Sequence, residues 1–512
     1  MMVDTTGPGP ALHLDEGGEP QYELGSPPTG QLSFATRIER DSLGEFPVPL
    51  DAYWGIHSAR ALHNFPITRR AISNYPDLIT ALAWVKKAAV RSNRLLGAIE
   101  THKADAIEQA CDEIINGALH DQFVIGSIQG GAGTSTNMCA NEVIANRALE
   151  ILGHQKGEYQ HLHPIDDVNR SQSTNDVYPT AIKLAMVLGI KRLLPEHHLL
   201  AQAFEAKGDE FDDVLKVGRT QLQDAVPMTL GQEFNAFHTT LAEDYDRLQE
   251  VVPFLCEVNL GATAIGTGIT ADPRYAEIVR SELAHITGLD IRTAPDLIEA
   301  TSDTGVFMTL SGTLKRSAAK LSKICNDLRL LSSGPQAGLG EINLPAVQAG
   351  SSIMPGKVNP VIPEVVNQVA FAVIGSDATV TAAAEAGQLQ LNAFEPVIAS
   401  SLLQSLVWME RACRTLRVNC VEGITANTER LHQQVSASVG VVTALTPYIG
   451  YQQSATLAHE ALTSGKTIRE LVLAAGLMEE TELDRVLQPG RLSGALDATT
   501  QVVAPELGEQ EA

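Results

Sequence analysis

The sequence predicts an all-helical protein of several domains, and three observations support this class. In long central segments, apolar residues recur every three or four positions. No part of the chain shows the regular alternation of strand and helix patterns that a doubly wound sheet would need. The chain has 512 residues, of which 44% are apolar and 5% aromatic. This length and composition suit an Ala- and Leu-rich helical protein with a large core.

Three segments are predicted to be long helices. Residues 234–252 and 307–331 each carry one continuous apolar stripe, and charged residues cover the other faces of the second segment. A third helix is predicted to begin at Pro363, a residue suited to the first turn, and it is apolar nearly all round. We expect this helix to lie deep in a core or in an interface between subunits. Several helices of this length favour a bundle.

Four regions are predicted along the chain. The first 34 residues are rich in Gly, Pro and acids and lack a basic head followed by an apolar stretch, so we expect disorder rather than a secretory signal. Shorter helices, at 464–475 and 479–486, indicate a small domain near the end. The predicted limits are a disordered extension at 1–34, a mostly helical domain at 35–172, a central helix bundle at 173–429 and a small helical domain at 430–512.

Charge and cysteine content restrict the location and the ligands. The formal charge of −24 excludes a basic nucleic-acid surface, and it means that an anionic substrate needs locally placed cations. The six cysteines form no CxxC pair, which indicates reduced thiols in a cytoplasmic protein. The most apolar stretch, 365–384, is interrupted by Asn367, Gln368 and Asp377, so we predict no membrane span.

The most unusual stretch is GSSIMPGKVNP, at residues 350–360. It could be a plain surface loop before a helix. However, Lys357 supplies the cation that a carboxylate substrate needs, and Asn359 can form hydrogen bonds beside it. Gly350 and Gly356 would let the segment hinge as a lid. The composition therefore favours a functional loop.

Three other polar segments have both a functional and a structural interpretation. GGAGTSTN at 130–137 is weak as a phosphate loop, because it lacks the Lys-Ser/Thr ending, and is better read as a glycine turn near a small ligand. NRSQSTND at 169–176 could simply cap the following helix. GRTQLQD at 218–224 could be a loop with a cap.

No familiar nucleophile or metal motif competes with these segments. The chain contains neither HExxH nor GxSxG. The neighbouring His197 and His198 have no carboxylate at ligand spacing, so we interpret the pair as part of an exposed helix face. We predict no metal site.

With these segments in view, the chain resembles the aspartase/fumarase superfamily. GSSIMPGKVNP matches the most recognisable motif of that superfamily, and class II fumarases share it. Other stretches resemble the aspartase branch: KICNDLRLLSSGP with GEINLP, GHQKGEYQ, NLGATAIGTGI, LIEATSD and GQLQLN. The similarity covers about residues 36 to 490.

The resemblance implies a fold, an assembly and a reaction. The expected protomer has three helical domains with a central bundle of long helices, and the expected assembly is a homotetramer whose active sites each use three subunits. The expected reaction is reversible elimination of ammonia from L-aspartate to give fumarate, with no cofactor and with Mg²⁺ as an activator at most. The alternatives are a class II fumarase, a lyase of an N-substituted aspartate, and a non-catalytic descendant that keeps only the fold.

The resemblance also implies roles for individual residues. Ser351 corresponds to the general base, and Glu364 to a supporting buried acid. The donors to the β-carboxylate correspond to Thr134, Ser173, Thr174 and Ser352; the binders of the α-carboxylate to Lys357 and Asn359; and further substrate contacts to Arg60, Asn175, Thr220, Gln221 and Met354.

Two positions depart from the pattern of the superfamily. His163-Pro164-Ile165-Asp166-Asp167 stands where many relatives have His-Pro-Asn-Asp-His, a segment that forms a secondary anion site in fumarases. Gln221 stands where fumarases and some aspartases carry histidine. Hydroxide is a poor leaving group that needs a proton donor, whereas ammonia leaves without one, so this glutamine favours a lyase over a hydratase.

Overall fold

The computed structural model describes residues 35–494. The predicted disordered extension at 1–34 lies outside these residues. The described helices are α1 (Ile56–Asn64), α2 (Pro76–Leu95), α3 (Thr101–Ile115), α4 (Thr134–Ile151), α5 (Thr174–Glu210), α6 (Leu230–Leu255), α7 (Tyr275–Thr287), α8 (Glu299–Ser302), α9 (Gly305–Leu331), α10 (Val361–Glu385), α11 (Glu395–Asn419), α12 (Thr428–Ala437), α13 (Thr446–Ile449), α14 (Tyr451–Ser464), α15 (Ile468–Ala474), α16 (Glu480–Val486) and α17 (Pro489–Leu492). The described strands are β1 (Thr36–Asp41), β2 (Gly44–Pro49), β3 (Leu215–Thr220), β4 (Gln223–Thr229), β5 (Glu257–Val258), β6 (Arg292–Thr293), β7 (Ile342–Asn343) and β8 (Thr425–Ala426).

A bundle of five long helices, α5, α6, α9, α10 and α11, forms the centre of the molecule. The predicted helical class is confirmed, and the three predicted long helices are α6, α9 and α10. Their apolar stripes face inward because burying apolar side chains is the main driving force for packing. For example, the rings of Phe204, Phe234 and Phe237 meet between α5 and α6 with centroids 5.6 to 6.0 Å apart.

One member of the exposed pair predicted on α5 is in fact buried. His197 is fully buried against Ser317 of α9, whereas His198 is exposed. The prediction is therefore wrong for His197. Two adjacent residues on a helix point in directions about 100° apart, so one can enter the core while the other faces solvent.

Helix α10 is long and apolar enough to cross a membrane, judged by length and composition alone. Its polar residues nevertheless bind neighbours within the bundle. Asn367 donates to the Ser322 hydroxyl on α9 at 2.8 Å, and Asp377 accepts a hydrogen bond from Ser311 at 2.8 Å. Apolar side chains on its other face stay open to solvent, including Val365, which is 44% exposed, and Phe371, which is 62% exposed.

Short strand pairs accompany the helices and were not predicted. The strands form two-stranded sheets, of which β1–β2 and β3–β4 are the longer antiparallel pairs. The segment predicted as a capped loop at 218–224 is the β3–β4 hairpin. Its turn residues Gln221 and Leu222 have φ of +55° and +63°. Gln-Leu is not one of the residue pairs that usually indicate such a turn, so the hairpin has no strong sequence signal.

The helices after α12 have a small core of their own. It includes Leu445, Leu457, Leu471 and Leu483, separate from the main core. The helix predicted at 464–475 is α15, and it begins four residues later because Thr467 and Glu470 form a capping box at its start. The helix predicted at 479–486 is α16.

Candidate active site

Helices α4 and α5 begin side by side, and each begins with a threonine. Thr134 is the first residue of α4, and Thr174 is the first residue of α5. Asn137 of α4 donates to the Thr174 hydroxyl oxygen at 3.1 Å. The structure thereby brings together four predicted site residues, Thr134 and the Ser173–Thr174–Asn175 run. Paired helix N-termini present backbone N–H groups and positive dipole ends, so this corner suits a small anion.

The turn before Thr134 depends on its glycines. Gly131 and Gly133 both have φ of +86°, and a Cβ at Gly133 would lie 2.3 Å from the ring of Tyr178 on α5. Only glycine therefore lets the two helix ends approach this closely. The Thr134 hydroxyl donates to the Gly131 carbonyl at 2.7 Å. The segment is a tight glycine turn, as the sequence favours, and not a phosphate loop.

The start of α5 is fixed by a buried acid. Ser173 caps the helix, and Asp176 accepts the Ser173 backbone N–H at 3.0 Å. The second Asp176 oxygen accepts the N–H groups of Gly261 and Thr263 at 3.1 and 3.0 Å. Burial raises the pKa of Asp176 to about 6, although these donors oppose the shift. Asn175 donates to the carbonyl of Ala264, so the 259–264 segment is held against the same corner.

A buried lysine behind this corner was missed by the sequence analysis. Lys86 on α2 is fully buried, and its ammonium donates to Asn169 Oδ1 and Gln172 Oε1, both at 2.9 Å. Asn137 donates to the same Asn169 oxygen at 3.1 Å and also to Thr174. Burial lowers the pKa of Lys86 to about 7, while the nearby Asp176 charge opposes that shift. The available signal was a lysine within the apolar stripe of a helix, between Val85 and Ala89.

The serine loop at 350–360 is exposed and folded back on itself. Gly350 N–H donates to the Lys357 carbonyl at 2.9 Å, and the Asn359 side chain donates to the Gly350 carbonyl at 2.6 Å. The Ser351 Oγ accepts the backbone N–H groups of Ile353 and Met354, at 3.2 and 2.9 Å. Two donors aimed at this oxygen would stabilise a negative charge on it.

The remaining loop residues face outward. Ser352, Met354 and Lys357 are exposed, and within residues 35–494 no hydrogen bond or ion pair engages the Lys357 ammonium. Glu364 lies in the first turn of α10 and is partly rather than fully buried. A loop in this state presents an available cation to an incoming anion, but it does not by itself enclose a substrate.

Thr220 and Gln221 lie at the turn of the β3–β4 hairpin, and both are exposed. Buried Glu341 anchors the hairpin, because it binds Arg219 and lies 3.0 Å from the Lys216 ammonium. Glu341 follows the end of α9 and is hydrogen-bonded to the Leu331 carbonyl. The hairpin and the segment that leads from α9 into the serine loop therefore lie at the same end of the bundle.

The predicted residues fall at two opposite ends of the bundle. Helix α5 contains 37 residues, which corresponds to a length of about 55 Å. Thr134 and Thr174 lie at its first end, whereas Thr220 follows its last residues. The serine loop joins α9 to α10 at that same far end, since Asn367 near the start of α10 contacts Ser322 and Arg329 of α9. A single chain therefore does not bring the whole predicted set together.

Arg60 has its charge engaged elsewhere. One edge of its guanidinium donates two hydrogen bonds to Asp41, with Nε–Oδ2 and Nη2–Oδ1 distances of 2.7 and 2.8 Å. This pairing raises the pKa of Arg60 and lowers that of Asp41. Phe46 lies under the guanidinium, 5.3 Å from its carbon to the ring centroid. In this state Arg60 holds the β1–β2 hairpin against α1, and its substrate contact stays a prediction.

The segment at 163–167, which departs from the sequence pattern of the superfamily, accepts hydrogen bonds from its own backbone N–H groups with its own side chains. The ring of His163 accepts the N–H groups of Ile165 and Asp166, both at 3.2 Å. Asp167 accepts the His163 N–H at 2.8 Å and pairs with Lys103 at 3.1 Å. Side chains of the protein thus occupy the amides that an anion would use at this turn.

A bundle of long helices that divides hydroxyl donors, a serine loop and an exposed lysine between its two ends has the features of a helical lyase acting on small carboxylates. Comparison with known proteins agrees. Residues 44–375 match the family described as Lyase, and residues 441–494 match the C-terminal region of fumarase C. The chain belongs to this lyase family, and the resemblance to the aspartase/fumarase superfamily is confirmed.

Curated relatives and solved structures cover nearly the whole chain. An aspartate ammonia-lyase of Pseudomonas aeruginosa is 59% identical over 89% of this chain and 96% of its own length, and that of Escherichia coli K12 is 53% identical over 89% and 95%. A Brucella melitensis structure titled fumarate lyase:delta crystallin, bound to cobalt, is 56% identical with a TM-score of 0.88, covering 90% of this chain and all of that one. A class II fumarase of Schistosoma mansoni is 34% identical with a TM-score of 0.86, over 90% and 100%.

Proposed function

We propose that this protein is a carbon–nitrogen lyase that reversibly eliminates ammonia from L-aspartate to give fumarate. The observation that carries the proposal is the place where α4 and α5 begin side by side with the hydroxyls of Thr134, Ser173 and Thr174, called the hydroxyl corner below. Thr134, Ser173 and Thr174 are neutral donors at two positive helix ends, an arrangement suited to one carboxylate whose charge increases during a reaction. The aspartate ammonia-lyases, at 59% and 53% identity, support the choice of substrate.

The proposed chemistry begins with loss of a proton next to the β-carboxylate. Ser351, as the alkoxide, takes the proton from the β-carbon, and the electron pair of that C–H bond moves onto the β-carboxylate as a doubly charged aci-carboxylate. Preorganised donors stabilise such charge by about 3 kcal/mol each in comparable sites. The electron pair then returns to form the C=C bond, and the C–N bond of the substrate's ammonium group breaks, so that neutral ammonia leaves with the C–N electron pair. The proton taken from carbon then passes from the Ser351 hydroxyl to solvent, which restores the alkoxide for the next cycle.

The two backbone N–H groups at Ser351 Oγ support its role as base. A serine hydroxyl is a weak base in water, and donors that favour its charged form make proton removal easier. Lys357 supplies a further positive charge and, with Asn359, a site for the α-carboxylate. We infer that the glycine-flanked loop closes over the substrate, because in this structure it is exposed and folded on itself.

The alternatives differ in the leaving group. A fumarase must assist the departure of hydroxide, and Gln221 cannot donate a proton as a histidine can. Ammonia leaves as a neutral molecule without such a donor. The class II fumarase is also less similar to this chain, at 34% identity, than the aspartate ammonia-lyases are. A lyase of an N-substituted aspartate is the second alternative. Because Gln221 is exposed, this chain alone leaves space beside the amine of the substrate for a substituent.

We propose that the working form is a homotetramer whose active sites are shared between subunits. Within one chain the hydroxyl corner and the serine loop lie at opposite ends of the bundle, so another copy must supply the missing part. The exposed apolar side chains of α10, such as Val365 and Phe371, provide a surface that packing against another copy would bury. This role for α10 accounts for its composition without a membrane.

We further propose that the reaction needs no bound cofactor, with Mg²⁺ as an activator at most. The proposed base and charge-stabilising donors are all side chains and backbone groups of the protein. Treatment with a chelator should therefore leave turnover of L-aspartate largely intact; complete loss, restored by Mg²⁺, would contradict this. We also propose a cytoplasmic location, supported by six free and buried cysteines.

A substrate comparison tests the proposed function. The full-length protein is incubated separately with L-aspartate, L-malate and an N-substituted aspartate, and fumarate is followed by its ultraviolet absorbance. We expect turnover mainly with L-aspartate, and ammonia released in equal amount. Faster turnover of L-malate would instead indicate a fumarase, and faster turnover of the third substrate would indicate the other lyase. A correctly folded protein inactive on all three would be a non-catalytic descendant.

The role of Ser351 is tested by replacing it alone. Ser351→Ala should lower kcat by several orders of magnitude, because the base is lost, while substrate still binds. Ser352→Ala is the matched comparison: it removes a carboxylate donor but keeps the base, so its loss of rate should be smaller, about 100-fold. Binding is measured by calorimetry with L-aspartate. Normal turnover in Ser351→Ala would refute the assignment.

A further inference from the structure

The loop between α4 and the turn at 163–167 gathers three metal-binding side chains. His154, Glu158 and His161 each offer one ligand atom, and the three atoms lie within 4.8 Å of one another. His154 Nδ1 is 3.6 Å from Glu158 Oε2. The imidazole rings of His154 and His161 are stacked, with centroids 3.8 Å apart and planes inclined by 6°. Two imidazoles and one carboxylate therefore form a close cluster at the surface.

The backbone holds this loop in place without a metal. His154 N–H donates to the Leu149 carbonyl at 2.8 Å, and Gly157 N–H donates to Asn146 Oδ1 at 2.8 Å. His161 N–H donates to the Glu158 carbonyl at 3.0 Å. The Glu158 carboxylate is itself oriented by the Gln155 N–H at 2.9 Å. Because these contacts fix the backbone of the loop in advance, binding a metal would need to order only the ligand side chains.

The distances suit a small transition-metal ion. Zinc binds histidine nitrogen and carboxylate oxygen at about 2.0–2.2 Å, which places tetrahedral ligand atoms about 3.4 Å apart. The 3.6 Å between His154 and Glu158 is already close to this value. A rotation of the His161 side chain out of the stack with His154 would turn one of its ring nitrogens towards the same ion. His154 and Glu158 are about a third exposed, with side-chain exposures of 33% and 40%, so water can complete the coordination.

We propose that His154, Glu158 and His161 form a site for a divalent transition-metal ion, with Zn²⁺ as the expected occupant. Two imidazole ligands select zinc and its neighbours over Mg²⁺, which prefers oxygen. The site is therefore distinct from any Mg²⁺ activation, and it does not depend on the proposed catalytic chemistry.

The sequence predicts no metal site here, because the H-x3-E-x2-H spacing is no familiar motif. The turns at Gly153 and Gly157, with φ of +83° and +84°, bring the ligands together.

The bound ion would join the two ends of this loop. His154 lies just after α4, and His161 lies just before the turn that leads to α5 and its capping Ser173. A ligand that binds only the folded state stabilises it by an amount that grows with the logarithm of the ligand concentration once this exceeds Kd. We therefore expect zinc to raise the thermal unfolding midpoint.

Calorimetric titration of the full-length protein, without a histidine tag, tests the site. We expect one Zn²⁺ per chain in the wild type, and no saturation by Mg²⁺ at the same concentrations. His154→Ala and His161→Ala should each weaken zinc binding at least 10-fold, and Glu158→Gln should weaken it less. His102→Ala is the matched control, because His102 lies 3.4 Å from Glu100 in a pair that lacks a third ligand. Its titration should equal that of the wild type.

Thermal unfolding with and without zinc provides the second measurement. The midpoint should rise with zinc in the wild type and in His102→Ala, but not in the His154→Ala/His161→Ala double variant. Circular dichroism of each variant before titration confirms that it is folded. The proposal is overturned if the wild type shows no saturable zinc binding. It is equally overturned if folded His154→Ala and His161→Ala bind zinc as the wild type does.

Discussion

At the scale of single residues, the hydroxyl corner depends on groups that lie behind the hydroxyls themselves. Gly133 keeps the ends of α4 and α5 close, because any side chain there would meet Tyr178. Lys86 holds Asn169, which accepts a hydrogen bond from Asn137, and Asn137 in turn donates to Thr174. Since the Thr174 oxygen accepts this bond, its own hydrogen is available to a carboxylate. The positions of the hydroxyl donors are thus fixed by the residues that pack directly behind them.

Replacing Gly133 should damage the corner more than replacing Gly131. Both residues have φ of +86°, so each alanine variant carries a similar backbone strain of about 1–2 kcal/mol. A Cβ at position 133 would lie 2.3 Å from the Tyr178 ring, whereas at position 131 its nearest neighbour is 3.7 Å away. Gly133→Ala should therefore lower the thermal midpoint further and lose most activity. Equal midpoints in the two variants would contradict this account.

Lys86→Met tests the positioning role of the buried lysine. Asn169 would lose a charged donor, an effect worth about 1.5–3 kcal/mol. We expect at least a 10-fold fall in kcat with L-aspartate in a protein that still folds. Lys87→Met is the control, because Lys87 pairs with Asp112 of α3 and not with this network. If both variants keep the wild-type kcat, Lys86 has no positioning role.

At the scale of secondary-structure elements, the packing of α5 against α9 buries a histidine that stays neutral. This histidine is His197 on α5. Desolvation lowers its pKa to about 4, with a smaller contribution from the neighbouring His198. The charged form is disfavoured because the ring is buried beside Ser317, with 3.5 Å between Oγ and Nε2. The packing of α5 against α9 therefore depends on a neutral imidazole.

This burial predicts that acid weakens the bundle. The pKa of a histidine in the unfolded chain is about 6.5. Below this pH the unfolded chain binds a proton at position 197, whereas His197 in the folded protein stays neutral. The free energy of unfolding should then fall as the pH drops from about 6.5 to about 4, by up to about 3 kcal/mol per chain. His197→Gln should make the thermal midpoint less sensitive to acid over this range. His198→Gln, at the exposed neighbour, should behave as the wild type; an unchanged acid response in His197→Gln would count against the explanation.

At the scale of the whole molecule, the bundle keeps the two parts of the site apart. The hydroxyl corner lies at one end of α5, and the β3–β4 hairpin and the serine loop lie at the other. A helix about 55 Å long cannot bend to join them. In the proposed homotetramer, antiparallel neighbours would place opposite ends side by side. The proposed chemistry then requires several copies of the chain.

Mixed oligomers test this requirement directly. Ser351→Ala and Thr174→Val chains should each be inactive or nearly so, but when they are co-expressed some sites take both intact parts from different chains. We expect a clear recovery of L-aspartate turnover. The control pairs Ser351→Ala with Lys357→Ala: both changes lie on one loop, so no intact loop exists and activity should stay low. Failure of recovery in verified mixed oligomers would show that each chain builds its own site.

The sequence by itself determined the helical class, the long helices and the segments rich in site residues. Helical periodicity is a local property, and the apolar stripes of α6 and α9 are visible in it. The motif at 350–360 and the hydroxyl run before α5 are also contiguous, so their chemistry can be read without a fold. The same holds for the resemblance to the lyase family, which rests on contiguous stretches.

Only the tertiary structure decided which of these segments meet. It placed Lys86 behind Thr174, buried His197 while exposing His198, engaged Arg60 with Asp41, and gathered His154, Glu158 and His161. It also separated the serine loop from the hydroxyl corner. Contacts between residues far apart in sequence depend on how whole helices pack, and a local pattern carries no information about its distant partners.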